Sequence, residues 1–312
     1  MMAPVDQRTR DTATDDTGLG GAGIGGTWLR FWFTPAAAEP LAVVRMLSAV
    51  LGLLLLWSYA GDLQRWFGPQ GMIPAETARQ WRPGFGVSLF DLATTPSAVT
   101  ALFATTALVF VLLGLGLLTT VTAIAAAILW ASLLHRGPML AGPADDCLAV
   151  LLWCVAIGPS GAAWSVDRLL SSGRGGPPEP TIRARIAGGL LQVHASAIAT
   201  AGLLSQLKGD VWWNGSAAWW LTGRAESRLV DLTSLFIRSE YLMNLVTHAI
   251  TAFEAAFAIG LWFAATQVPL ARAGLVAWPL IGLLAGEPLW GAAMAIFCVP
   301  LAGRGILTGR AA

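Results

Sequence analysis

Charge is scarce in this chain. Acidic and basic side chains make up 12% of its 312 residues, against about 25% in soluble domains. So few charges cannot clothe a water-soluble fold of this length. Lysine is nearly absent: Lys208 stands alone beside 18 arginines, and the net charge is only +1. That balance supplies no basic surface and excludes nucleic acid as a partner. Three cysteines cannot build a disulfide framework. Cys147 and Cys154 fall in one apolar segment, about 10 Å apart along a helix, too far to bridge. All three are expected as small packing residues. The three histidines are scattered, and no spaced His/Glu or C-x-x-C pattern suggests a metal.

What the chain has instead is hydrocarbon. Hydrophobic residues reach 55% and mean hydropathy is +0.64. A first apolar run covers Leu41–Tyr59, with Arg45 near its start, and a polar loop with Trp66, Trp81 and Phe85 as interfacial anchors follows. Leu92–Leu134 carries no charge at all. At about 1.5 Å per residue it is roughly 64 Å long, twice a bilayer core. It must therefore fold as a helical hairpin, with its turn expected near Gly114–Thr120. Further runs cover Cys147–Ala163, Ile186–Leu207 and Tyr241–Thr266, and 273–302 hold one or two more crossings divided at Gly286–Pro288. Between Lys208 and Glu240 polarity is mixed, and the pairs Trp212/Trp213 and Trp219/Trp220 recur at seven. If helical they share one face, as in a helix lying in the membrane interface.

The expected fold is all-α: a polytopic integral membrane bundle of seven or eight spans plus an interfacial helical segment. Residues 1–27 are polar and glycine-rich, without the features of a secretory signal, and are expected to be a flexible tail. Gly18, Gly20 and Gly23 match G-x-G-x-x-G, but no strand precedes them. A single transmembrane domain follows over 28–305, with a short tail at 306–312. With eight spans the amino-terminal side carries ten arginines and the other side eight basic residues. Arg168, Arg174, Arg183 and Arg185, in and around the linker at 171–180, tilt the amino-terminal side towards the cytoplasm.

Several residues then fall into a pattern: Arg45 in the first span, Asp145 or Asp146 opening the fourth, and Trp164–Ser165–Val166–Asp167–Arg168 at its exit. Ala201–Gly202, Trp212, Gly215 and Phe253–Glu254 follow in order. Over about residues 30–305 the chain resembles the HTTM family (horizontally transferred transmembrane domain), bacterial membrane relatives of vitamin K-dependent gamma-carboxylase. The resemblance implies a multi-pass protein of a bacterial inner membrane, with a quinone as its possible cofactor. The animal carboxylase uses a membrane-embedded lysine, thought to deprotonate vitamin K hydroquinone, with a histidine nearby. The resemblance puts that lysine just before Leu207, where this chain has Gln206. It puts the histidine two residues before Trp164, where this chain has Ala162. Glutamine is no base and alanine cannot orient one. Nor do these 312 residues hold a counterpart of the animal enzyme's large soluble domain.

Ionisable groups within spans are costly and default to functional candidates. Glu254, mid-span, is the foremost; it must be neutral, paired or beside a wet cavity. It is expected to be buried against a basic or hydroxyl partner from another span. Asp145 and Asp167 are the other catalytic candidates, although the first could cap a helix and the second could pair at a span end. Arg45, Asp146, Trp164, Arg168, His194, Gln206, Trp212 and His248 complete the candidate cavity. Arg45 is expected to pair with an acid near the second or fourth span. Lys208, just past its span, is expected to be an interfacial ammonium, with Asp210 in reach. Three functions remain open. One is a lipid- or quinone-binding membrane protein or complex subunit that does not carboxylate, with the bilayer and a membrane or redox protein as partners. The second is a quinol- or lipid-dependent enzyme working through a buried carboxylate. The third is a small-molecule transporter, although no inverted repeat is visible.

Overall fold

A computed structural model describes residues 24–82, 86–171, 178–224 and 228–303. The stretch holding Gly18–Gly23, Phe85, the linker core at 172–177 and the tail at 306–312 lie outside the described residues. Helix α1 (Ile24–Phe33) precedes α2 (Glu39–Ala60), α3 (Leu63–Phe67) and α4 (Ala75–Trp81). The hairpin α5 (Pro96–Leu115) and α6 (Thr119–Arg136) leads to α7 (Pro143–Ile157) and the short α8 (Val166–Leu170). Then come α9 (Ile182–Gln206), α10 (Asp210–Trp213), α11 (Ala217–Gly223) and α12 (Thr233–Arg238). Helices α13 (Glu240–Gly260), α14 (Ala264–Ala285) and α15 (Pro288–Cys298) complete the bundle. Among the described residues the only β pairing is an isolated bridge between Ala36 and Thr181.

Local chemistry sets many of these boundaries. Thr95, Ser165, Thr181 and Ser239 each accept a backbone N–H in the first turn of the helix they precede. Pro96, Pro143 and Pro288 occupy first helical positions, where no N–H is needed. Six helices, α2, α5, α6, α9, α13 and α14, are long and apolar enough to cross a membrane. By length and composition this is a multi-pass membrane protein.

Its two ends can be told apart by hydrogen bonds. At the near end the Ala36–Thr181 bridge ties the entry of α2 to the entry of α9. There also Arg183 Nε donates to Ile157 O at the exit of α7, and Asp167 accepts from the α5–α6 turn. At the far end Arg136 donates to Gly68 O and Ile73 O, and Tyr59 donates to Asp145. Helix α7 runs through the middle, packed on α2, α6, α9 and α15.

Helices α9 and α13 lie antiparallel. Gln192 Nε2 donates to Leu261 O, and Gln206 Nε2 donates to Glu254 Oε2, both at 2.8 Å. Between them Ser196 Oγ donates to Ala258 O, and Glu254 lies level with Gly202, so Gln206 reaches back about one turn to the carboxyl. Beyond Gln206, α13 continues alone towards the far end, and the 210–223 segment folds over it: Thr247 Oγ1 donates to Gly215 O and accepts from Ala218 N. At the near end α9 outruns α13, and Phe31 and Trp32 of α1 rest on it at Gly189.

Four expectations need correction. The run Tyr241–Thr266 is not one helix: α13 stops at Gly260 and Thr266 belongs to α14, with Thr266 Oγ1 donating to Gly260 O across the turn. Every residue of that turn is apolar, so hydropathy could not reveal it. The fourth run ends at Ile157 rather than Ala163, because Gly158 and Pro159 break it. The tryptophan pairs do not share a helix face; Asn214–Ser216 separate α10 from α11, and α12 follows separately. Residues 24–27, assigned to the tail, open α1.

Candidate functional site

The last turn of α9 presents Gln206 to α13. Gln206 is 8% exposed and Glu254 3%, and the 2.8 Å amide–carboxyl bond joins them. Thr251 Oγ1, one turn before Glu254, donates to Gln206 Oε1 at 3.1 Å. The amide is thus held at both ends, its oxygen by a hydroxyl and its nitrogen by the carboxyl. Glu254 Oε1 has no hydrogen-bond partner among the described residues, and no cation lies within 4.0 Å of the carboxyl. Gly202, one turn earlier on α9, leaves room there: a Cβ would come within 3.3 Å of Glu254 Oε2. Phe253 and Phe257 flank the glutamate in sequence and join Trp278 and Trp290 in an aromatic cluster with centroids 5.3–5.6 Å apart. The expectation for Glu254 is corrected in its chemistry: the partner comes from another helix, but it is an amide, neither basic nor hydroxyl.

Arg45 and the Trp164–Arg168 segment meet at the near end. The Arg45 side chain is 0% exposed; Nη1 donates to Ser160 O at 2.8 Å and Nη2 to Trp164 O at 2.6 Å. Its partners are backbone carbonyls just past α7, so the expected pairing with an acid is corrected; Asp167 acts on it only through its charge. Asp167 takes Leu118 N, Thr119 N and Thr119 Oγ1, each at 2.7 Å. It caps α6 from a distant segment. Partial burial pushes the Asp167 carboxyl up, but these bonds and the Arg45 charge outweigh that and hold it below its ordinary range. This cluster fastens helix ends; Arg45 Nε alone among its bonding atoms is buried without a partner among the described residues.

Asp145 sits at the far end. Its Oδ1 accepts from Tyr59 Oη and its Oδ2 from Gly142 N, both at 2.8 Å. Both oxygens are engaged, one of them in capping α7. Asp146, its neighbour, is exposed. His194 Nδ1 is bonded to Leu190 O within its own helix, and His248 is exposed on α13. Trp212 and Arg168 are partly buried on separate segments. Lys208 is exposed as expected, with no ion pair to Asp210 within 4.0 Å. The candidate residues therefore form three separate places, not one cavity.

Ala162 and Gln206 are among the separated pairs. A Cβ on Gly158 would touch Ala187 Cβ at 2.9 Å, and Gln206 lies about 28 Å further along α9. Four fully extended residues from Gly158 to Ala162 recover only about 14 Å. The position to which the resemblance assigns a histidine is thus remote from the one it assigns a lysine.

Sequence reasoning missed Thr251 and Tyr59. Thr251 had a signal, three residues before Glu254 on the same helix face; Tyr59 had none beyond ending a span. Among the described residues no group of three or more His, Cys, Asp or Glu is placed to hold a metal ion. No family model, curated protein or solved structure matches the chain.

Proposed function

We propose that the chain is an eight-crossing protein of HTTM type in a bacterial inner membrane, binding a quinone or lipid at the Gln206–Glu254 pair without carboxylating a substrate. Helices α7 and α15 supply the seventh and eighth crossings, with α10–α12 gathered at one membrane face and the near end towards the cytoplasm. A membrane or redox protein is its partner.

One observation carries the reading: a carboxyl buried among apolar helices, one oxygen tied to Gln206 and the other without a partner among the described residues. An isolated carboxyl in hydrocarbon costs several kcal/mol, so its presence calls for a ligand. A quinone carbonyl, a quinol hydroxyl or a lipid ester supplies the complementary group, and the aromatic cluster suits a flat ring. Gln206 stands where the resemblance requires a base and, being neutral, only orients. A second reading uses the same free oxygen as a proton acceptor from a quinol or lipid.

Purified protein given a reduced naphthoquinone, labelled bicarbonate and a glutamate-containing peptide is expected to incorporate no label. The same naphthoquinone is expected to quench tryptophan fluorescence saturably, and Glu254→Ala to abolish the saturation. Robust incorporation contradicts the non-carboxylating reading; quenching unchanged in Glu254→Ala contradicts the site.

A further inference from the structure

The near end carries a second feature that the Gln206–Glu254 site does not use. A cleft of about 410 Å³ opens between α1 and the start of α9, lined among others by Thr27, Arg30, Phe31, Thr34 and Arg185. Arg185 is fixed in it: Nε donates to Phe31 O, and the guanidinium lies 5.1 Å from the Phe31 ring centroid. Its two terminal nitrogens have no partner among the described residues, and neither Arg30 nor Arg185 has a carboxylate within 4.0 Å. The hydroxyls of Thr27 and Thr34 are likewise unengaged. Two guanidiniums and two hydroxyls without partners among the described residues thus border one concave space.

The surroundings place that space at a membrane surface. Trp28 and Phe33 of α1 are exposed, Phe31 packs on Trp262 at the α13–α14 turn, and the apolar spans begin immediately beyond. An amphipathic helix with an exposed aromatic face is the form that settles at headgroup depth. A second cleft of about 250 Å³ adjoins the first through Ala36 and Arg185 and runs between Leu41, Gly188 and Leu301. Its walls are mainly apolar.

We propose that this paired cleft binds the phosphate of an anionic phospholipid, with Arg30 and Arg185 on the phosphate oxygens and the start of an acyl chain in the adjoining cleft. Phosphate is the chemistry that two unpaired guanidiniums recognise. The apolar extension selects a lipid over a free ion. The proposal requires only that the chain be membrane-embedded and is independent of any ligand at Glu254.

The test is retention of lipid by the whole protein in detergent, read by native mass spectrometry. Phosphatidylglycerol and phosphatidylcholine of identical chains are offered in equal amounts. The wild type is expected to prefer the anionic lipid by roughly tenfold or more, as two basic groups at a membrane surface imply. Arg30→Gln/Arg185→Gln is expected to bring the two lipids to parity, and Arg30→Lys/Arg185→Lys to keep most of the preference and so control for folding. Millimolar inorganic phosphate is expected not to displace the lipid. Equal retention of both lipids by the wild type, or an undiminished preference in the folded glutamine variant, overturns the site. Displacement by inorganic phosphate overturns the lipid as its ligand.

Discussion

At the scale of single residues, the acidic groups divide by what engages them. Asp167 and Asp145 have both oxygens bonded, whereas Glu254 keeps one free. Asp167 therefore works through stability. Its carboxyl is held below the ordinary value, so its contribution is complete above about pH 4 and fades as pH falls through the depressed value. Asp167→Ala is expected to cost about 1 kcal/mol at neutral pH, the usual worth of a cap, and the gap from wild type should narrow under acid. Thermal unfolding in detergent between pH 3 and 7 checks it; a gap independent of pH contradicts it. Lys208 is the opposite case. Its exposure leaves it outside the buried pair, so Lys208→Arg is expected to be silent for folding and for ligand binding. Loss of binding in that folded variant would make the lone lysine a functional group after all.

At the scale of elements, the α5–α6 turn shows what pattern can and cannot foretell. The uncharged run from Leu92 to Leu134 forces a hairpin, and its turn falls at Gly116–Leu118, inside the expected window. What required the structure is why Gly116 stands there. Its φ is +70°, and a Cβ would lie 2.5 Å from Ser165 Cβ and 2.7 Å from Arg45 Nη1. Gly116→Ala is expected to destabilise by about 1–3 kcal/mol from backbone strain alone, and more through displacement of Arg45, seen as a lowered midpoint of thermal unfolding. An unchanged midpoint contradicts that packing. Hydropathy also located the ends of α2 and α9 within a few residues, since polar groups bracket them. It failed at Leu261–Phe263, where the turn between α13 and α14 is itself apolar, and at Asn214–Ser216, where a period of seven spans a break.

At the scale of the whole molecule, order along the chain set which helices exist but not which residues meet. Gln206 and Glu254 are 48 residues apart and meet because α9 and α13 pack antiparallel and the glutamine reaches back along α9. Ala162 and Gln206, the positions that the proposed resemblance would pair, stand at different levels of the bundle. The proposed eight-crossing arrangement predicts that single cysteines placed in the 61–74 loop and in 207–216 are labelled by an impermeant reagent from one side of the membrane. Cysteines at the exposed positions Leu169–Leu170 and Trp262–Phe263 should be labelled from the other. Labelling of the two groups from the same side removes the arrangement.

The central claim, that the Gln206–Glu254 pair is a binding site for an apolar molecule with a polar head, is tested most directly by the small molecules that accompany the protein through detergent purification. Mass spectrometry of wild type and of Glu254→Gln, a variant that keeps shape and fold, is the measurement. A quinone or a single lipid species is expected near one per protein in the wild type and strongly reduced in the variant. A wild type that carries no such molecule, or a variant that retains it in full, contradicts the account.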